Sequence, residues 1–191
     1  MENENNLSPE KSLEIINEMI SNTRASFKDA SFYFLLWGWI IFAGGLGHYL
    51  LFKFSDCQYP YISWSVVLIG IIVSAVVGVI QGKRKKVISH FARIHIYVWY
   101  AFLACYFVLI FFMKSINYQI TPLIFLFAAN ATFISGIVLK YKPIILGGIF
   151  IFVSSIVIFN LSYEMQLLAI PITMFIGYLI PGYYLKYKAN S

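Results

Sequence analysis

ISWSVVLIGIIVSAVVGVI, residues 62–80, followed at once by QGKRKK, residues 81–86, decides how this chain folds. The first stretch is nineteen residues without a charge, close to the ~20 that a helix needs to cross about 30 Å of hydrocarbon. Lipid offers no water to bare N–H and C=O groups, so such a segment must pair them internally, as a helix does. The alternating pattern of barrel strands is absent. Four cations in a row then close the segment, and basic loops of this kind stay on the cytoplasmic side.

Working outward, the same logic finds spans at 31–54, 62–80, 91–113, 120–139, 143–160 and 165–184. Hydrophobic residues make up 60% of the chain and charged ones 12%, with a mean hydropathy of +0.78. A soluble domain is nearer half apolar and a quarter charged. The expected fold is all-α: a polytopic bundle of six transmembrane helices, with short connections that make sequence neighbours antiparallel neighbours.

With the amino terminus inside, Lys11, Arg24, Lys28, Lys83, Arg84, Lys85, Lys86, Arg93, Lys140, Lys142, Lys186 and Lys188 fall at cytoplasmic ends. Only Lys53 and Lys114 fall outside. That bias predicts a cytoplasmic-membrane protein with both termini inside, and it explains the net charge of +6 without nucleic acid. Trp37 and Trp39 then sit near the inner interface and Trp64 near the outer one. The polar, acidic MENENNLSPEK, residues 1–11, is not a cleavable signal, so the first span serves as its own anchor.

Residues 1–29 form a cytoplasmic segment, 30–186 the membrane domain and 187–191 a cytoplasmic tail. The first segment holds an amphipathic helix over 8–27, with Ser8 placed to cap and Pro9 suited to its first turn. Leu13, Ile16, Met19, Ile20, Thr23 and Phe27 share one side, and Glu10, Glu14 and Glu18 the other. An acidic face is a poor match for anionic lipid. The helix therefore either folds back on its own bundle, its glutamates toward Lys83, Arg84, Lys85 and Lys86, or docks a cytoplasmic protein or a second copy.

Within the membrane, Gly70, Ser74, Gly78 and Gly82 recur every fourth residue and predict close helix packing, inside the bundle or between copies. Ala128, Thr132 and Gly136, Gly147 and Gly148, and Gly44, Gly45 and Gly47 extend the theme. Pro171 and Pro181 invite kinks in the last span. Asn130, near the middle of the fourth span, is either an interhelical hydrogen bond or a ligand or pathway residue. His95 is either a satisfied interfacial histidine or a titrating one.

His48 stands about 26 Å up its helix, too far from His90 and His95 to share a metal. His90 and His95, five apart, point to different faces. Cys57 and Cys105 cannot build a disulfide framework. No metal site, cofactor or catalytic residue is expected, since HExxH, GxSxG and paired intramembrane aspartates are all missing.

SLEIINEMI, residues 12–20, and SFYFLLWGW, residues 31–39, resemble the opening of a family of small, uncharacterised bacterial membrane proteins. That family has an amphipathic helix, a first span beginning with an FxxLWGW-like signature, and about five further spans. The likeness covers roughly the first fifty residues in detail and the remainder in architecture. It carries no activity with it and implies a regulatory setting, beside small DNA-binding proteins.

The expected role is a non-enzymatic membrane sensor, regulator or assembly module, with the lipid bilayer around it and a cytoplasmic protein, or a further copy, as partner. The alternative is a small-solute facilitator or channel.

Overall fold

The computed structural model describes residues 9–84 and 90–190, and every regular element among them is helical. α1 runs from Pro9–Phe54 without a break. A 3-10 turn, Pro60–Ser65, leads into α2, Val66–Arg84. There follow α3, His90–Phe111, α4, Ile120–Val138, and α5, Lys142–Ile158. α6, Tyr163–Met174, passes through a π-helical turn, Phe175–Leu179, into α7, Ile180–Asn190.

Among the described residues five helical stretches are long and apolar enough to cross a membrane: 10–54, 60–83, 93–111, 120–138 and 163–190. α5 is apolar but shorter, at 17 residues, about 26 Å at 1.5 Å per residue. All six expected spans thus coincide with helices, while length and composition qualify five.

The amphipathic helix and the first span, expected as separate segments, are one helix. Arg24-Ala25-Ser26-Phe27-Lys28-Asp29-Ala30-Ser31 changes composition at the junction but contains no glycine or proline, so nothing ends the helical hydrogen bonding. The first buried residue of α1 is Ala30. Phe27 packs at the edge of the core, and the eighteen helical residues before it extend roughly 27 Å beyond it. The helix does not fold back. Only its 19–27 portion lies beside the end of α7, around Tyr187 and Lys188, with the Phe27 ring 5.7 Å from that of Tyr141.

The buried core joins α1, α4, α5 and the α6–π–α7 stretch through Phe34, Phe125, Ile144, Ile151, Leu167 and Tyr178. α1 packs on α6 and α7, and α5 links that pair to α4. α2 leans mainly on α1, and α3 mainly on α4. Only 6% of the most apolar stretch of α2, and of α3, is buried, against 61% for the last span. The two most lipid-like helices are therefore the outermost ones.

Glycines that meet the backbone of another helix are not on α2, where the sequence pattern points, and Gly70 meets only side chains. They join α5 to α4 and to the π turn. A Cβ added to Gly148 would lie 2.7 Å from the Phe133 backbone nitrogen, and one on Gly136 2.6 Å from that of Ile145. Two backbones in contact leave no room for side chains, so glycine is required at these crossings. Gly147 meets the carbonyl of Gly177 in the π turn in the same way. That carbonyl is the one Pro181, lacking an N–H, cannot bond in α-helical register. A π turn at the carbonyl that Pro181 leaves unbonded thus separates two α-helices, while Pro171 sits within α6, and the helix continues through Asn190, beyond the expected end at 184 and through most of the expected tail.

Candidate functional site: a polar cluster at the end of α1

The end of the bundle farthest from Pro9 collects polar groups that are distant in sequence. His48 is 7% exposed, near the last turns of α1. The Trp64 indole Nε1 donates to its Nδ1 at 3.0 Å. An indole nitrogen only donates, so Nδ1 is the acceptor and the ring hydrogen of neutral His48 resides on Nε2. The Tyr163 hydroxyl lies 3.4 Å from that Nε2. Both rings stand edge-on to the imidazole, at 88° and 76°. One histidine thus ties together α1, the 3-10 turn and α6.

Local sequence explains the arrangement. Pro60 starts the 3-10 turn and brings Trp64 back against α1. Gly44 and Gly47 leave the space: a Cβ on Gly44 would be 3.1 Å from the Trp64 ring, and one on Gly47 3.1 Å from Ser63 Cβ. Ser63 Oγ is buried beside them without a hydrogen-bond partner.

Around the cluster, Lys53 Nζ pairs with Glu164 Oε1 at 2.7 Å and also lies 5.6 Å from the centre of the Tyr49 ring. Water screens such an exposed pair, so it adds little to stability. Gln166, 4% exposed, donates from Nε2 to Gln119 Oε1 at 3.0 Å and to the Leu161 carbonyl at 3.1 Å. These bonds fasten the connections after α3 and α5 to one another.

The residues singled out from sequence fall elsewhere. Asn130 is exposed and donates to the Leu126 carbonyl of its own helix at 2.9 Å, so it neither crosses between helices nor faces the core. His95 lies edge-on to Trp99, 6.3 Å away, and its Nδ1 is buried without a partner. No hydrogen bond joins Asn130 to His95 among the described residues. Gly70 faces Ile40 and Trp37, and a Cβ added to Gly78 would lie 3.7 Å from the Tyr33 hydroxyl. The upper part of this stripe therefore packs within the chain, while a Cβ on Gly82 would meet nothing within 4 Å among the described residues. Ser74 Oγ is buried and lacks a partner.

Glu10 and Glu14 are exposed on the projecting part of α1. Gln81 Nε2 donates to Asp29 Oδ1 at 2.9 Å, which sets the register of α2 against α1. Lys83 is two residues past Gln81, and Glu14 fifteen before Asp29. Glu14 therefore stands about 20 Å farther out than Lys83, so the expected meeting of Glu14 with Lys83 does not occur. The Glu18 and Arg84 side chains, and Lys85 and Lys86 entirely, lie outside the described residues.

Both cysteines are free, Cys57 exposed and Cys105 partly buried. No three His, Cys, Asp or Glu residues among those described converge as a metal site. Sequence inspection marked His48 and Trp64 only as residues near the outer ends of their spans. Their shared height was the available signal; that α6 brings Tyr163 to the same point was not visible. A second buried link, from the Ser155 hydroxyl of α5 to the Pro122 carbonyl of α4 at 2.9 Å, was missed for the same reason.

No protein-family model, curated protein or solved structure matches this chain.

Proposed function

We propose that this is a non-enzymatic sensory or regulatory module of a bacterial cytoplasmic membrane. It would cross the membrane six times with both termini in the cytoplasm, its amino-terminal helix engaging a cytoplasmic protein. The observation that carries the reading is the continuity of α1. One helix of 46 residues holds the His48 cluster near one end and, at the other, an amphipathic stretch whose apolar face is largely exposed. Leu13 is 61% exposed there and Met19 64%, although both belong to the apolar face. A helix without a hinge can carry a tilt or rotation from the first site to the second, whereas a jointed one would absorb it.

Support for six spans and the stated orientation comes from the distribution of basic residues and from the pairing of all six apolar segments with helices. Shortness of α5 is no obstacle, because bilayers thin locally around short spans at modest cost. The facilitator reading sets Asn130 and the glycine faces near a pathway, within one chain or between copies, and Asn130 faces away from the core of this chain. The central positions Thr132, Ser135 and Ser155 are fully buried and bonded to carbonyls, an arrangement that favours a packed bundle over a pathway.

The test is purification from native membranes in gentle detergent, with and without residues 2–28. A stoichiometric protein that co-purifies only with the full chain is the expected result. A partner-free assembly unchanged by the truncation would count against the proposal and return attention to solute flux.

A further inference from the structure

A groove runs along the bundle surface between α2 and α7, floored by α1. Its length is set by the α1 stripe Lys28, Phe32, Leu36 and Trp39, in which every fourth or third side chain occupies the same face. Ile40 closes its deep end. From Lys28 to Ile40 is twelve residues, about 18 Å, which is close to one leaflet of a ~30 Å hydrocarbon core.

The two ends differ in chemistry. The deep end is apolar except for the Trp39 indole, whose Nε1 is already committed to the Tyr183 hydroxyl at 3.1 Å. The shallow end holds two ammonium groups. α7 runs antiparallel to α1, with Leu35 3.2 Å from the position a Cβ on Gly182 would take. Lys186, one turn past Gly182, therefore reaches the level of Ser31, just below Lys28, and both lysines line the groove. Neither has a carboxylate partner among the described residues. The nearest acid in sequence, Asp29, is turned to α2 and holds Gln81.

We infer that this groove binds one anionic phospholipid from the surrounding leaflet, its phosphate between Lys28 and Lys186 and an acyl chain along Phe32, Leu36 and Trp39. The inference is independent of the regulatory reading and needs only that the bundle be inserted. Two cations without a carboxylate partner among the described residues, beside a leaflet-length apolar floor, complement a headgroup and tail together. A protein ligand would have to reach some 18 Å into hydrocarbon to use the same floor, and a free phosphate would use none of it. Basic pockets between helices at a membrane surface take anionic headgroups through the same attraction.

The test uses the full chain, delipidated in mild detergent and titrated with phosphatidylglycerol or phosphatidylcholine of identical chains, with bound lipid counted by native mass spectrometry. The expected result is preferential binding of phosphatidylglycerol to the wild type and to Lys114→Gln, an exposed lysine in the connection after α3 at the opposite end of the bundle. In Lys28→Gln/Lys186→Gln the preference should fall by roughly thirty-fold. Lys28→Arg/Lys186→Arg should keep it.

Equal binding of the two lipids by the wild type would overturn the inference, and this comparison needs no variant to fold. Undiminished preference in the glutamine double variant would overturn it as well. So would displacement of the lipid by inorganic phosphate at matching concentration, since that marks an anion site without a role for the tail.

Discussion

Removing the His48 ring would leave the Trp64 indole N–H with no acceptor in a partly buried site. An unmade hydrogen bond of that kind costs ~1–3 kcal/mol. His48→Leu should therefore lower the unfolding temperature in detergent, read by tryptophan fluorescence. His48→Asn, which places an amide oxygen near the lost Nδ1, should recover part of the difference; a leucine variant as stable as the wild type would show that the contact has no structural weight. The opposite holds for Asn130, whose amide serves only its own helix on an exposed face. Asn130→Leu is expected to be neutral or mildly stabilising. Ser155→Ala is not, because it withdraws the buried donor of the Pro122 carbonyl across α5 and α4, and a loss of ~1–3 kcal/mol is expected. The same thermal scan ranks the two, and an Asn130 variant less stable than the Ser155 one would reverse the assignment of inside and outside. Polar residues in an apolar segment announce themselves in sequence, but which of them face inward depends on neighbours that sequence leaves unnamed.

Glycines matter at the level of elements. Four-residue spacing made the Gly70–Gly82 stripe the most conspicuous packing signal, yet a Cβ on Gly82 would meet nothing among the described residues and one on Gly148 would meet backbone. Gly148→Ala should cost ~1–3 kcal/mol, since the α4 backbone cannot yield as a side chain can. Gly82→Ala should be free or stabilise by up to ~1 kcal/mol through helix propensity. Comparing the two by chemical denaturation in mixed micelles checks the claim, and equal effects would refute it.

The α4–α5 connection carries a related signature. Lys140 has φ 51°, and the bonds Tyr141 N to Gly136 O at 2.9 Å and Lys140 N to Ile137 O at 3.0 Å close a Schellman turn around it. Glycine is the usual residue there because a Cβ is strained at positive φ. Lys140→Gly is expected to raise stability by about 1 kcal/mol, measured in the same way. Sequence showed that a helix ends near this point. It did not show that a lysine occupies the left-handed position.

The whole molecule divides at Ala30, where burial begins along α1. Deleting residues 2–28 should leave the unfolding temperature of the bundle within a few degrees, while removing the projecting amphipathic stretch. Loss of the folded bundle on that deletion would mean that the contact of Phe27 with Tyr141 contributes more than its partly buried position implies. Hydropathy is a sum over neighbours in one dimension, and so the sequence by itself determined the helical class, the segments that become helices and the concentration of cations on alternate connections. Continuity of α1 was hidden because a change from polar to apolar residues marks a change of solvent, which need not be a break in backbone hydrogen bonding. The pairing of helices, the inward or outward aspect of each polar group and the meeting of His48, Trp64 and Tyr163 were decided only by tertiary structure. Each depends on short-range contact between segments tens of residues apart, and one helix face offers the same pattern to any partner until packing selects one.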